Sequence, residues 1–97
     1  MPTYIGLYRL TDQGIKAIKD APGRMEAAIK GAEKLGGKVI GIYTVTGEYD
    51  YVTISEFPSD EVAMTNALAL GSLGNVRTTT LRAYKKEEFV AMVKKLP

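Results

Sequence analysis

The sequence has no cysteine, no histidine and no tryptophan. Without cysteine it can form neither a disulfide nor a thiolate nucleophile, and lacking histidine as well it cannot build a zinc-finger ligand set or a Ser-His-Asp triad. The side chain that ordinarily moves protons near neutral pH is therefore missing. No stretch approaches the roughly 20 apolar residues of a membrane span. Met1 to Arg9 lack the basic and apolar regions of a secretory signal, so a cytoplasmic protein with no membrane partner is expected. A metal would have to rely on carboxylates, and Glu48, Asp50 and Glu56 do not have the spacing of a Ca²⁺ or Mg²⁺ loop. Neither metal nor cofactor is expected. The charge is also nearly balanced: 13 Lys and Arg against 11 Asp and Glu leave +2, too little to call for nucleic acid.

What remains is 97 residues of ordinary globular composition, 45% hydrophobic and 25% charged, which predicts one domain over 1–97. Alternation in residues 3–10 predicts a strand, and Thr11-Asp12-Gln13-Gly14 a turn into a short helix. Pro22 suits the first turn of a longer helix in which Met25, Ala28, Ile29, Ala32 and Leu35 recur at helical spacing. Gly36-Gly37 stops it. Residues 38–45 and 50–57 predict a hairpin around Thr46-Gly47-Glu48, and Ser59 is a natural cap for a helix running to about Ser72. A strand over 76–84 and a helix over 86–95, using Phe89, Val93 and Leu96, complete the chain. The order β-α-β-β-α-β with a tail helix predicts an α+β, ferredoxin-like domain: an antiparallel sheet with its helices on one face.

Period-2 parity sorts the strand residues into two faces. Ile5, Leu7, Ile40, Ile42, Val52, Ile54, Thr79, Leu81 and Ala83 form an almost wholly apolar set, which is assigned to the helices. The opposite set holds Tyr4, Tyr8, Tyr43, Tyr51, Phe57 and Tyr84, five of the six tyrosines among them, together with Thr78, Thr80 and Arg82. Aromatics and threonines with a single Arg are the composition of an interface core, so this second face is expected to be covered. A second copy is the expected cover, because a two-fold contact needs only one self-complementary surface. Gly6 and Gly41 among the tyrosines would leave room for a small organic ligand, although the tyrosines are equally able to pack and hydrogen-bond across the contact.

Two runs stand out. At the hairpin, Gly47 permits a positive φ, Asp50 can bond turn amides and Tyr49 projects from the tip. The run is either turn chemistry or the wall of a pocket between subunits. In Asn75 to Arg82, Thr78, Thr80 and Arg82 are either strand formers or donors to an anionic or carbonyl ligand, with Glu48, Asp50 or that ligand as the partner of Arg82. Gly31 to Lys38 looks like a phosphate-binding loop, but it links helix to strand and lacks the Ser/Thr, so it reads as a helix stop. An RNA-recognition sheet is disfavoured by the acids in Glu48-Tyr49-Asp50.

With Tyr4-Ile5, Leu10-Thr11, Gly47-Glu48-Tyr49-Asp50, Ala67 to Gly74 and Val76 to Thr80 in this order and spacing, the chain resembles the GYD-domain family over essentially its whole length. That resemblance implies a ferredoxin-like subunit of the dimeric α+β barrel type. More loosely, Thr46 to Tyr51 followed by Asn75 to Thr80 looks like the effector-binding domain of Lrp/AsnC-type regulators, without their DNA-binding domain. This likeness implies that Thr46, Gly47, Tyr49 and Asp50, with Thr80, line a ligand pocket. Barrels of this type also include monooxygenases and isomerases, which implies a cofactor-independent enzyme as the competing class, with Tyr, Asp50 and Arg82 as its available groups. The expected function is an oligomeric small-molecule-binding protein that senses an amino acid or carboxylate. A cofactor-independent enzyme and a purely structural oligomer are the alternatives.

Overall fold

Alternation of Tyr, Ile and Leu over Thr3–Leu10 forms the first strand, β1, of the computed structural model, which describes residues 1–97. Thr11 caps the short helix α1 (Asp12–Lys16), its hydroxyl accepting the Gly14 amide at 3.1 Å. A single 3-10 turn, Ile18–Asp20, leads into α2 (Ala21–Lys34), with Pro22 in the first turn where a backbone N–H has no helical partner to lose. Strands β2 (Lys38–Thr44) and β3 (Tyr51–Glu56) form the hairpin, whose turn places Gly47 at φ +104°, a conformation that side chains resist. Ser59 caps α3 (Asp60–Ser72) by accepting the Val62 amide at 3.3 Å, and Asp60 and Glu61 add negative charge to its first turn. β4 (Val76–Ala83) and α4 (Lys86–Lys94) follow, and the Glu88 carboxylate accepts the Lys85 amide at the start of α4.

The strands lie in the order β2-β3-β1-β4, every neighbouring pair antiparallel, which is the arrangement of the split βαβ unit. β1 is central. Tyr4 stands opposite Ser55 and Arg82, and Ile5 opposite Ile54 and Leu81, so the two parity sets are kept across these three strands. The α+β fold and the order of elements agree with the sequence reading.

The sheet, however, turns its faces the opposite way from that reading. Tyr4 and Phe57, each 3% exposed, pack with Ala32 of α2 and Ala63 of α3, so the aromatic set faces the helices. Tyr8 and Tyr51, which are opposite one another, lie on the same side. Tyr4, Tyr8, Tyr51 and Phe57 are thus part of the sheet–helix layer of one chain and do not form an outer dimer face. The cause is complementary volume: the helices present small alanines at their closest approach, and rings from the sheet fill the space that aliphatic side chains would leave. The Tyr4 and Phe57 rings meet edge to face with centroids 6.0 Å apart.

The set assigned to the helices, Ile5, Leu7, Val52, Ile54, Thr79 and Leu81, lies on the uncovered side. A β-bulge between Val39 and Gly41 changes parity in β2, leaving Val39 and Ile42 toward the helices and Gly41 and Tyr43 on the open side. Tyr43 is 57% exposed there. Gly6 and Gly41 do not open a space either: Tyr8 and Tyr43 each fold back over the glycine two residues earlier, where a Cβ would meet the ring at 2.6 and 3.0 Å. α4 has little contact with the rest of the chain, and its Phe89, Met92 and Val93, with Leu96 just beyond its end, are all exposed. The molecule is consequently long and thin, 53 × 31 × 18 Å.

Candidate functional site

At the hairpin end of the sheet, the Asp50 carboxylate accepts the Leu10 amide at 2.8 Å, and the Asp50 amide donates to the Tyr8 carbonyl at 2.8 Å. Asp50 therefore ties the β2–β3 turn to the end of β1. Arg9 bonds Glu48, and its guanidinium lies 5.0 Å from the centre of the half-buried Tyr49 ring. Thr46 and Gly47 are exposed at the tip.

Arg82 lies at the opposite end, against Tyr4. Its guanidinium stacks 4.3 Å from the Tyr84 ring centre and 5.8 Å from that of Tyr4, donates to the carbonyls of Ala83 and Thr3, and reaches Asp60 at 4.0 Å. Its acidic partner is Asp60 at the start of α3, neither Glu48 nor Asp50. The Tyr4 hydroxyl donates to Asp60 at 2.5 Å. Burial above all, then the bond to Asp60 and that group's charge, push the Tyr4 phenol up to about 12, against a smaller opposing effect of Arg82. Tyr4 is thus a firmly held proton donor at neutral pH.

Thr78 and Thr80 stand between these ends on β4, opposite Tyr8 and Gly6. Within one chain the residues singled out as ligand contacts do not meet, because the Leu10 and Tyr4 ends of β1 are separated by about 20 Å of extended strand. Nor do three acidic side chains gather as a metal-ligand set.

Two features differ from the sequence reading. One is the open face, made by Ile5, Leu7, Val52, Ile54 and Leu81, the set assigned to the helices, with Tyr43 beside them: an apolar surface on a sheet whose other side is covered. The other is an apolar pocket of about 110 Å³, partly open to solvent, between the sheet and the helices, walled by Tyr8, Ile42, Tyr51 and Thr53 on one side and by Met25 and Ala28 of α2 and Leu70 of α3 on the other.

Comparison with known proteins agrees with this architecture. Residues 4–93 match the GYD domain. The chain is 34% identical over 95 residues to the "Glutamine synthetase and cystathionine beta-lyase binding protein" of Thermus thermophilus, covering 97% of this chain and 100% of that one. It is also similar to the crystal structure of TTHA0845 from Thermus thermophilus, with a TM-score of 0.52 at 27% identity over 88% of this chain and 95% of the other. The βαββαβ order, the Gly47-Glu48-Tyr49-Asp50 turn that locks the hairpin to β1, and a match spanning nearly the whole chain place this protein in the GYD-domain family.

Proposed function

We propose that this protein works by binding other proteins: two copies pair through their uncovered sheet faces, and the assembly docks on a metabolic enzyme. The observation that carries this reading is the apolar open face, where Leu81 is 45% exposed and Ile5, Leu7, Val52 and Ile54 are only half-buried in the single chain. A contiguous apolar surface of this kind marks an interaction site, and a second copy satisfies it with one self-complementary contact. α4, with its exposed Phe89 and Val93 and with Leu96 just after it, then supplies an apolar helix for a different protein. The Thermus relative, named for binding glutamine synthetase and cystathionine beta-lyase, supports the choice of an enzyme as that partner.

A catalytic reading has less support. Tyr4 keeps its proton to about 12, Asp50 is engaged by the Leu10 amide, and Arg82 is held between tyrosine rings, so no acid, base and anion-stabilising group converge.

Sedimentation of the purified protein, alone and with purified glutamine synthetase or cystathionine beta-lyase from the same organism, tests the proposal. A dimer or higher multiple that co-sediments with one of them is expected. A monomer, or an oligomer that leaves both enzymes free, would overturn it.

A further inference from the structure

We infer that helix α4 of one copy packs antiparallel on the outer side of α3 of another copy. The two helices over the sheet present different outer surfaces. α2 shows Glu26, Lys30, Glu33 and Lys34 to solvent, the ordinary charged side of an amphipathic helix. α3 does not: residues 62–76 contain no Asp, Glu, Lys or Arg, and its outer side carries Met64 at 55% exposure and Leu68 at 65%, with Leu73 exposed just past its end. Met64 and Leu68 are four residues apart and so stand side by side. A helix that is apolar on its outer side as well as its inner one belongs inside a larger structure.

α4 has the matching deficiency. Phe89, Met92, Val93 and Leu96 recur at i, i+3, i+4 and i+7, a single apolar stripe with little of its own chain against it. A nine-residue helix is too short to hold itself in water, so it needs a surface to pack on.

Charge sets the direction and identifies the occupant. α3 begins with Asp60 and Glu61 and is followed by Arg77 on β4, whereas α4 begins with Glu87 and Glu88 and ends at Lys94 and Lys95. The ion pairs of the chain are Arg9–Glu48, Arg82–Asp60 and Lys85–Glu56, so Glu61, Arg77, Glu87, Lys94 and Lys95 have none. Laid antiparallel, Lys94 and Lys95 come to the acidic start of α3 and Glu87 to its Arg77 end, while Phe89 meets Leu73, Val93 meets Leu68 and Leu96 meets Met64. A parallel helix would set Glu87 and Glu88 against Asp60 and Glu61. A chain cannot cover its own α3 in the favoured direction. Arg82, near the end of β4, reaches Asp60 at 4.0 Å, so β4 ends beside the start of α3. Tyr84 and Lys85, which join β4 to α4, span about 10 Å, and α3 is about 20 Å long. The chain's own α4 therefore starts at the acidic end, and the antiparallel helix belongs to a second copy.

α4, about 13 Å long and about 10 Å across, covers far less than the roughly 1,000 Å² that holds two proteins together. The contact therefore joins chains already paired through their sheet faces, as proposed above, because two such pairs can make it more than once. An enzyme that takes α4 displaces it from α3.

Because the chain has no cysteine, single-cysteine variants of the full chain, mixed in pairs and oxidised, test the contact on a denaturing gel. Met64→Cys is expected to join Leu96→Cys through a disulfide, and Phe89→Cys, about two turns earlier, at least about tenfold less. The double variant Met64→Cys/Leu96→Cys should link separate chains. Sedimentation velocity separates this contact from the sheet pairing. Leu68→Glu, at an exposed position that keeps the subunit folded, should weaken the joining of pairs about 100-fold by burying an unpaired charge, and leave dimers. A disulfide that favours Phe89→Cys, one closed within a single chain, no disulfide at all, or sedimentation unaltered by Leu68→Glu would each overturn the inference. A monomeric protein that still forms the mixed disulfide would refute the sheet pairing and leave the helix contact standing.

Discussion

Ile54→Glu should dissociate the assembly without unfolding the subunit. Ile54 lies near the middle of the uncovered face, opposite Ile5 on β1 and Gly41 on β2. In the single chain the position is only half-buried, so a carboxylate there keeps water and the subunit loses no more than about 1 kcal/mol, the span of strand propensity. In a face-to-face pair the same carboxylate is buried with no cation beside it, at about 3 kcal/mol for each unpaired charge. Two-fold symmetry brings both copies of the substitution into one interface, for about 6 kcal/mol, which raises the dissociation constant about 10⁴-fold. Sedimentation velocity across the micromolar range reads this directly, with far-UV circular dichroism as the check on the fold. Ile18→Glu, on the 3-10 turn away from the face, is the control and should sediment like the unsubstituted protein. Association unaltered by Ile54→Glu, in a variant that retains its fold, would disprove pairing through this face.

Gly6→Ala should cost about 1–3 kcal/mol in urea unfolding, because its Cβ would meet the Thr53 hydroxyl oxygen and the Tyr8 ring at 2.6 Å; a change within error would show that the ring moves aside freely. Asp50→Ala should lose about 1–3 kcal/mol by removing the acceptor of the Leu10 amide, and a neutral result would mean that the turn holds β1 by other contacts. The Tyr4 phenol keeps its proton to about 12 in the fold, whereas the unfolded chain releases it near the ordinary 10. Its contribution to stability is therefore complete below pH 10 and falls away between pH 10 and 12, so Tyr4→Phe should flatten the alkaline decline of unfolding free energy; parallel curves for the two proteins would contradict this. Ending the chain after Lys85 should leave the amide spectrum of the sheet nearly unchanged, since α4 has little contact with it, and widespread shifts would place α4 against the sheet in solution.

Whatever is local in this fold is legible in the amino-acid order. The strand and helix spans follow from periodicity, the Ser59 and Thr11 caps from their hydroxyls, and the hairpin from Gly47, because each depends on residues within a few positions of one another. The order of elements then leads to the antiparallel sheet. Parity likewise separates Tyr4, Tyr8, Tyr51 and Phe57 from Ile5, Leu7, Val52 and Ile54, but parity carries no information about which set meets the helices. That choice is made in three dimensions. The small side chains of α2 and α3, Ala32 and Ala63 where the packing is closest, require large rings opposite them, so the aromatic set turns inward and the more apolar set is left open. The bulge that moves Tyr43 to the open side, the pairing of Arg82 with Asp60 and the apolar pocket between sheet and helices have the same origin. Each arises where two elements distant in sequence must share one volume, and a one-dimensional pattern does not record how that volume is divided.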